Sequence, residues 1–543
     1  MSKCVIKFSR DFSSHGWEKE IFNEGTVWFK GVIYGEEINN IVSSISLIFS
    51  TRADKHTLEL NALFKNLSGN FAFICETKDA VIAVVDNISS TPIFYSNENG
   101  ELVLSDSASN VTDSMSLDED SVLSLMMSGY TIGHRTLNTH LQKLTPFEYI
   151  VFFRDSVSRS YYSNFIPSSN TTFNRKQLIN NLYDCLMGVM EDTYDSIKDR
   201  HIVALLSGGS DSRLIVSSLK HIGAKNITCV TYGIKSSEEV KISKDIASAL
   251  GYKHVFIPII KSKIKDYFFS KEFEDFYSFS DSYSSVPYIS EVYQISTYLK
   301  VSGVDPAEVV FINGNTGDFI NGSHIPAIHK DWHSLDDVVE YVYDKHYSMW
   351  GYINNDNNKS TITSLLLDDL HNRAAESNLS NIRYESIYEM IEYHGRQSHL
   401  IIANQRTYDF FGSEWRMPFW DSRYVEFWES VGVPNRVNHT LYSQTVHEWN
   451  LGGVWNGVPI NKKSIKPNWI APLRFITKAT LFSLNKKHLW DQIERNAFYY
   501  WLEPYRSYYK NDYKDVLLDT RGQRYYLSWW IEEYIERHSA SKY

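Results

Sequence analysis

The sequence predicts an α/β protein of two parts: an N-terminal pair of packed β-sheets and a C-terminal parallel sheet covered by helices. Three observations lead to this prediction. Short apolar segments separated by turn residues fill residues 1–165. Apolar strands alternate with helical patterns after residue 200. Residues 166–174, rich in Ser, Thr and Asn, lie between the two parts and are typical of a linker.

Several apolar segments of the N-terminal part have the length and pattern of β-strands. Residues 69–75 alternate in polarity, as a strand with one buried face does. Residues 80–85 are wholly apolar, which favours a fully buried strand. Two packed sheets with a few helices accommodate this pattern. The predicted strands are 26–34, 69–75, 80–85, 92–95, 101–105 and 147–153.

The C-terminal part follows a strand–helix alternation. A predicted helix at about 175–198 precedes strands at 202–206, 227–232 and 254–260, and another strand starts at 309. Because β-α-β units contain parallel strands, we predict a parallel sheet with ligands at the carboxyl ends of its strands. The predicted division is a domain at 1–165, a linker at 166–176 and a domain at 177–543.

Composition limits the classes of function. Of 543 residues, 22% are charged and 43% hydrophobic, which is typical of a folded chain, and no apolar run approaches a membrane span. The N-terminus lacks the apolar segment of a signal peptide. A net charge of −11 argues against nucleic acid as a partner. Four cysteines without a CxxC pair are typical of reduced thiols, so we expect a cytoplasmic protein.

The most informative stretch is Ser-Gly-Gly-Ser-Asp-Ser at 207–212, between an apolar strand and a helical pattern. Gly208 and Gly209 allow backbone N–H groups to approach phosphate oxygens, and the helix N-terminus adds its positive end. Serine hydroxyls add donors, and Asp211 can hold a bridging cation. The predicted phosphate-binding residues are Leu205, Leu206, Ser207, Gly208, Gly209, Ser210, Asp211 and Ser212.

The alternative for this stretch is an ordinary strand-to-helix turn capped by Ser and Asp. The six-residue pattern behind a strand is more specific than a glycine pair, so we favour a nucleotide. It is not a Walker loop, because the chain contains no Gly-x-x-x-x-Gly-Lys-Ser/Thr. It resembles the SGGxDS loop of the ATP pyrophosphatase (PP-loop) families, and this resemblance implies cleavage of ATP to AMP and pyrophosphate.

The order of motifs along the chain resembles the class II asparagine synthetase family, whose synthetase domain is of the PP-loop type. Residues 67–73, 85–95 and 102–106 match framework strands of its N-terminal, glutamine-hydrolysing domain. The resemblance therefore implies an Ntn-hydrolase-like α+β sandwich followed by an α/β PP-loop synthetase domain.

The glutaminase residues of that family are not matched. Its nucleophile is a cysteine at the mature N-terminus, whereas this sequence starts Met-Ser-Lys and its nearest cysteine, Cys4, is followed by Val5. Lys30 replaces an Asn of the family's oxyanion segment. The resemblance implies an inactive glutaminase-like domain, as in the β-lactam synthetases, lasso-peptide cyclases and surface-polysaccharide amidotransferases. The alternative is processing that exposes Cys4.

A second acidic residue follows the predicted strand that starts at 309. Asp318 matches the family's second magnesium-binding acid, and paired carboxylates suit a cation that also binds phosphate. An isolated Asp in a glycine-rich turn is otherwise a turn former. Gly314 is a predicted ATP contact, and Asn315 replaces the family's substrate-side Glu. By resemblance Tyr232 lines the adenine pocket, with a core aromatic as the alternative.

Two further segments match the family. Glu414 and Arg416 lie in a Glu-x-Arg-x-Pro-Phe run, where they either shape the acyl pocket or form a buried pair. Lys466 matches the lysine that stabilises the transition state of adenylation in the family, and Lys462 and Lys463 are its rivals. The spacing of His324, His329 and His333 does not suit zinc, so we expect surface or core histidines.

These observations predict an ATP-dependent, AMP-forming amide ligase with Mg²⁺ as a cofactor. A substrate carboxylate attacks the α-phosphorus of ATP, and ammonia or an amine captures the acyl-adenylate. Because Asn315 cannot act as a base at neutral pH, we do not expect aspartate as the acid. A sugar uronate of surface-polysaccharide synthesis is one candidate. The nitrogen comes from solution, an amine or a separate glutaminase, and a homodimer is one candidate assembly.

Other functions stay open at this point. A glutamine-hydrolysing asparagine synthetase requires Cys4 at the N-terminus, and a peptide or natural-product cyclase requires an amine nucleophile on its substrate. A catalytically silent ATP-binding or partner-binding protein would show no pyrophosphate exchange. A tRNA-thiolating PP-loop enzyme is disfavoured by the acidic net charge.

Overall fold

The computed structural model describes residues 3–8, 16–50, 56–98, 100–111, 115–168, 174–235, 237–374, 379–459, 469–502 and 510–540. Residues 169–173 of the predicted linker lie outside these ranges. The framework consists of two sheets in the N-terminal part and one parallel sheet in the C-terminal part of the described chain.

The strands of the N-terminal part are β1 (Lys3–Lys7), β2 (Trp17–Ile21), β3 (Gly25–Tyr34), β4 (Ser68–Thr77), β5 (Ala80–Val85), β6 (Phe94–Glu98), β7 (Glu101–Ser105), β8 (Gln142–Lys143), β9 (Glu148–Phe153) and β10 (Ser156–Tyr161). The helices of this part are α1 (Ile38–Ser50), α2 (His56–Lys65) and α3 (Glu119–Ser128). One sheet has the order β1-β7-β6-β8, and the other has the order β10-β9-β5-β4-β3-β2. Their strands pair antiparallel except for β1 and β7, which run parallel.

The side chains of β4 alternate between two apolar layers. Ile74 packs with Leu104 of β7, so it belongs to the layer between the two sheets. Phe73 instead packs with Ile41 of α1 and Phe64 of α2. This alternation with a period of two residues produces a sandwich with helices on the outer face of one sheet.

The N-terminal and C-terminal parts share a continuous interior. Leu125 of α3 packs in one apolar cluster with Phe273 and Trp530, which come from the C-terminal part. The side chain of Asn87 donates a buried hydrogen bond of 3.1 Å to the carbonyl of Trp420. The domain boundary at residue 165 therefore stays a prediction, since packing crosses it.

The parallel sheet has the order β13-β12-β11-β14-β15. Its strands are β11 (His201–Leu205), β12 (Ile227–Gly233), β13 (Lys253–Pro258), β14 (Val309–Ile312) and β15 (Glu414–Arg416). The chain proceeds outward from β11 to β13 and then returns to β14 on the other side of β11. The direction of the strand order thus reverses between β11 and β14, where open α/β sheets form a crevice for ligands.

The helices of the C-terminal part are α4 (Arg175–Asp195), α5 (Ser210–His221), α6 (Glu238–Leu250), α7 (Lys261–Tyr267), α8 (Lys271–Phe279), α9 (Val292–Ser302), α10 (Gly317–Ile320), α11 (Leu335–His346), α12 (Asp356–Arg373), α13 (Tyr384–Glu392), α14 (Gln405–Phe410), α15 (Ser422–Ser430), α16 (Val433–Arg436), α17 (Thr440–Trp449), α18 (Ile470–Ser483), α19 (Trp490–Ile493), α20 (Tyr500–Leu502), α21 (Tyr513–Leu518) and α22 (Leu527–Ala540). The segments Tyr393–Ile401 and Glu494–Tyr499 are π-helical. Within the described ranges, no helix has the length and apolar character needed to cross a bilayer.

The predicted α/β class is confirmed by these elements. The strand predicted at 80–85 has the same bounds as β5, and the strand predicted at 101–105 has the same bounds as β7. The helix predicted at about 175–198 ends three residues earlier, at Asp195. The sheet of the C-terminal part is parallel throughout, as the β-α-β pattern indicates.

Candidate active site

The turn after β11 has the form of an anion cradle. The hydroxyls of Ser207 and Ser212 lie 2.9 Å apart, and the backbone N–H of Ser207 donates to Ser212 Oγ at 3.0 Å. Helix α5 begins after Gly209, which provides no side-chain cap. The N–H groups of its first turn therefore stay available to an anion.

The turn after β14 lies directly against this cradle. The backbone N–H of Asp318 donates to Asp211 Oδ2 at 3.1 Å. Gly317 permits this approach, because a Cβ atom at that position would lie 2.9 Å from the Asp211 carboxyl carbon. Since β11 and β14 are neighbours, their turns meet, and the structure brings the two predicted acidic residues together.

The two carboxylates have different affinities for protons. Burial, reinforced by the negative charge of Asp318, raises the pKa of Asp211 to about 7. A hydrogen bond of 3.1 Å from the Tyr442 hydroxyl opposes this rise. Burial also acts to raise the pKa of Asp318, but the hydrogen bond and charge of His324 outweigh it and lower that pKa. A cation held by both acids would relieve their repulsion.

His324 connects Asp318 to a buried carboxylate. Its Nε2 lies 3.3 Å from Asp318 Oδ2, and its Nδ1 contacts Glu392. Burial disfavours the charged imidazole, but these two carboxylates outweigh burial and raise the pKa of His324 to about 9. Glu392 also accepts hydrogen bonds from Tyr388 and from Lys345, the latter at 3.2 Å. His324 is thus a partly buried histidine that orients Asp318.

A cavity of about 260 Å³ lies at the carboxyl ends of β11, β12 and β14. Asn315 lines it, as do nearly all the predicted ATP contacts. Gly208 does not, and its carbonyl accepts a hydrogen bond of 3.4 Å from buried Arg213 instead. The predicted contacts that line the cavity are Leu205, Leu206, Ser207, Gly209, Ser210, Asp211, Ser212, Tyr232 and Gly314.

Glu291 lines the same cavity and was not predicted from the sequence. It accepts hydrogen bonds from the Tyr232 hydroxyl, from Asn404 Nδ2 at 3.0 Å and from the Tyr408 hydroxyl at 3.3 Å. These contacts fix Tyr232 at the cavity wall. Glu291 immediately precedes α9 and belongs to no motif, so only the tertiary structure reveals it.

Residues 194–442 match the sequence model of the asparagine synthase family. This segment contains every strand of the parallel sheet and both acidic turns. These residues form an asparagine synthase family domain. The domain supports an ATP-dependent, amide-forming ligase.

Similarity to solved structures and to curated proteins is slight. The glutamine phosphoribosylpyrophosphate (PRPP) amidotransferase from B. subtilis, complexed with ADP and GMP, is 12% identical, with 45% of this chain and 73% of that chain covered and a TM-score of 0.19. A structure described as the allosteric regulatory enzyme of purine biosynthesis is 11% identical, with 44% and 60% covered and a TM-score of 0.18. At such scores neither structure informs this fold. No curated protein matches the chain.

The Glu-x-Arg run of the asparagine synthase domain does not reach the cavity. Glu414 pairs with Arg416 at 3.1 Å and with Arg200 at 2.7 Å. Arg200 directly precedes β11, so this ion-pair network starts at the amino edge of the sheet, opposite the cavity. Asp421 also forms an ion pair, with Arg423 Nε at 2.9 Å.

The family's lysine segment lies outside the described residues, and with it Lys462, Lys463 and Lys466. The last described residue before this segment is Pro459, whose carbonyl accepts a hydrogen bond of 2.8 Å from Arg213 Nη2. Arg213 belongs to α5, the helix that follows the phosphate turn.

The N-terminal sandwich encloses Cys4 and Lys30 in different surroundings. Cys4 lies within β1, paired with Leu102, and burial raises the pKa of its thiol to about 12, reinforced by Glu76. Lys30 Nζ lies 2.8 Å from Asp409 Oδ1, and the two side chains are 5% and 3% exposed. A basic side chain thus forms a buried ion pair between the two parts of the chain.

The residues around Asp211 and Asp318 fit a magnesium ion chemically. Each carboxylate oxygen of Asp211 accepts one hydrogen bond, which leaves lone pairs for a metal. The side chain of Asp318 is 51% exposed, so an ion reaches it from the solvent. Hard oxygen ligands from two carboxylates, completed by phosphate oxygens and water, are what Mg²⁺ prefers.

Proposed function

We propose that this ligase forms AMP: a substrate carboxylate takes the adenylyl group of ATP, and a nitrogen nucleophile then forms the amide. The observation that carries this proposal is the contact between the turns of Asp211 and Asp318 beside a cavity lined by the phosphate turn. In this arrangement, acidic groups adjoin the region where pyrophosphate must leave.

The cavity offers a place for each part of ATP. We assign the phosphates to the turn at residues 207–212, where the first N–H groups of α5 have no side-chain cap. Tyr232 offers a ring face for adenine. Glu239 and Glu291 line the same cavity with carboxylates, which accept hydrogen bonds from hydroxyl and amino groups. We therefore assign the ribose and the adenine amino group to their side of the cavity.

Adenylation then follows from this placement. The substrate carboxylate oxygen bonds to the α-phosphorus as the bond to the bridging oxygen of pyrophosphate breaks. Asp211 and Asp318 would hold Mg²⁺, which supplies positive charge that stabilises the departing pyrophosphate. His324 keeps Asp318 oriented through its 3.3 Å contact. We assign Lys466 to the charge on the α-phosphate, following the family resemblance.

Amide formation completes the reaction. The nitrogen attacks the acyl carbon, the bond to the phosphate oxygen of AMP breaks, and the nitrogen loses a proton. Asn315 lines the cavity, and its backbone N–H donates a hydrogen bond of 3.2 Å to Asn313 Oδ1. Since a neutral amide does not take a proton from the nucleophile, we infer that free ammonia or a reactive amine attacks.

We propose that the nitrogen does not come from glutamine hydrolysed by this chain. A thiol with a pKa near 12, inside a strand, is a weak nucleophile at neutral pH. The Lys30–Asp409 ion pair occupies the region of the family's oxyanion segment with opposite charges. Ammonia in solution, a separate glutaminase or an amine substrate then supplies the nitrogen. For the acid, a sugar uronate is our candidate, because Asn315 replaces the acidic residue used in asparagine synthesis.

The proposal is tested by pyrophosphate release and ATP–pyrophosphate exchange across candidate acids, with ammonium, glutamine and simple amines as donors. We expect exchange that depends on the acid, formation of AMP rather than ADP, and an amide product with ammonium or an amine but not with glutamine. Release of ADP and phosphate would contradict the AMP-forming assignment. ATP binding without exchange for any acid would favour a silent binding protein.

A further inference from the structure

Helix α18 presents apolar side chains to the solvent. Phe475 is 74% exposed, Ile476 is 60% exposed and Trp469, just before the helix, is 54% exposed. Leu473 and Leu484 are exposed by 48% and 61%. Single exposed apolar residues are common on protein surfaces, but a contiguous group of this kind marks an interaction site.

The opposite side of α18 is anchored, so its orientation is defined. Ile470 is fully buried and packs with Trp490 and Phe498, and Leu481 joins this cluster. Arg474, which shares this side, forms an ion pair with a glutamate of the π-helical segment. Residues i, i+4, i+7 and i+11 share one side of a helix, and Ile470, Arg474 and Leu481 fit this spacing. Phe475 and Ile476 lie outside this spacing and are exposed, so they face away from the anchored side.

Basic residues flank the apolar surface. Residues 469–490 contain Arg474, Lys478, Lys486 and Lys487 but no Asp or Glu, in a chain whose net charge is −11. Lys478 and Lys487 each lie 5.4 Å from the ring of Phe482, which is itself 41% exposed. Long basic side chains placed beside exposed aromatic rings can bury their stems while their charges reach an anionic surface.

We propose that this surface, made of Trp469, Leu473, Phe475, Ile476, Phe482 and Leu484 with Lys478, Lys486 and Lys487 around it, docks on an anionic lipid bilayer. The basic side chains are complementary in charge to anionic lipid headgroups. They form a local basic patch in a chain whose net charge is negative. The helix has 14 residues and spans roughly 21 Å, less than the roughly 30 Å hydrocarbon core, so it lies in the plane of the interface.

The test is co-sedimentation of the full chain with vesicles, compared between pure phosphatidylcholine and phosphatidylcholine with about one third phosphatidylglycerol. We expect binding to the anionic vesicles that weakens with salt and is at least about tenfold weaker on neutral vesicles. The double variant Phe475→Ser/Ile476→Ser and the triple variant Lys478→Glu/Lys486→Glu/Lys487→Glu should each lose about tenfold or more in affinity.

The matched control is Phe269→Ser/Val301→Ser, which removes apolar side chains that are 67% and 71% exposed elsewhere on the surface. It should bind vesicles as the wild type does, and thermal melts check that every variant is folded. Equal binding to neutral vesicles, or binding unchanged by Phe475→Ser/Ile476→Ser, would overturn the proposal. So would self-association that Phe475→Ser/Ile476→Ser abolishes without vesicle binding, which would assign the surface to a second copy. These outcomes do not depend on the ligase activity.

Discussion

The N-terminal sandwich and the carboxyl ends of the parallel strands differ in how far they expose their ionisable groups. At the carboxyl ends of β11 and β14, Asp318 is half exposed and Asp211 lines an open cavity. In the sandwich, Lys30 instead forms a buried ion pair with Asp409. One region keeps its charges accessible to a ligand, and the other uses its charge to hold two parts of the chain together.

Helix α14 contacts both regions. Its Asp409 binds Lys30 of the sandwich, and the adjacent Tyr408 binds Glu291 at the cavity. The sandwich therefore contacts a helix whose Tyr408 holds a residue of the cavity wall. We infer that the shape of the cavity depends on the packing of the sandwich.

The largest effect should come from the paired acids. Asp211→Asn or Asp318→Asn removes a proposed ligand of Mg²⁺, so we expect ATP–pyrophosphate exchange to fall about a thousandfold, in line with the loss of transition-state charge stabilisation. The melting temperature should not fall, because Asp211 is a carboxylate that burial destabilises. The exposed Asp275→Asn serves as the control and should keep full activity. If Asp211→Asn retained its exchange activity, the proposed role of the paired acids in ATP cleavage would be wrong.

Removal of the buried cation should cost the next largest free energy. Lys30→Ala leaves Asp409 buried with less compensation, so we expect the free energy of unfolding to fall by about 3 kcal/mol. Arg406, 3.2 Å from Asp409, limits this loss. Chemical denaturation measures it, and Lys198→Ala, which breaks an exposed pair with Asp195, should change stability by less than about 1 kcal/mol. A small effect at Lys30 would mean that the ion pair does not join the two parts.

Glu291 gives a smaller effect that separates binding from chemistry. Glu291→Gln places an amide N–H₂ among donors from Tyr232, Asn404 and Tyr408, so we expect the KM for ATP to rise about tenfold while kcat changes less. Steady-state kinetics at several ATP concentrations provides the measurement. Glu308→Gln, at an exposed site before β14, should leave both constants unchanged. An unchanged KM in Glu291→Gln would exclude Glu291 from the nucleotide site.

The smallest effect should be at Cys4. Because burial and Glu76 raise the pKa of its thiol to about 12, the thiolate is scarce at pH 8, and iodoacetamide should label Cys4 more slowly than a free thiol. The labelling rate should increase as the pH rises. Cys4→Ala should change the ammonium-dependent activity by less than about twofold. If the protein released glutamate from glutamine and Cys4→Ala abolished this release, the sandwich would be an active glutaminase, contrary to our proposal.

Much of the fold and part of the site could be predicted from the sequence. The bounds of β5 and β7 follow from local apolar patterns, because a buried strand needs a short continuous run of such residues. The turn at residues 207–212 is a contiguous six-residue motif, so its phosphate-binding role could be predicted without a structure. Asp318 needed a second signal, the glycine-rich turn after an apolar strand, and the tertiary structure places it against Asp211.

Other features depend on contacts between distant segments. Glu291, Tyr442 and Glu392 reach the site from separate segments of the chain and carry no local motif. Glu414 lies within a family motif, yet the structure places it at the amino edge of the sheet with Arg200. Its role could not be settled from the motif, since position along a strand determines which edge a side chain occupies.

The sequence by itself determined the class of fold and predicted the phosphate turn and the two acidic residues, because each arises from short-range pattern and residue chemistry. The tertiary structure decided the rest: the adjacency of β11 and β14 that joins the acids, the burial of Lys30 against Asp409, and the outward apolar face of α18. Such features depend on strand order and on which helix side is anchored. Those are set by the packing of the whole chain, which no local segment encodes.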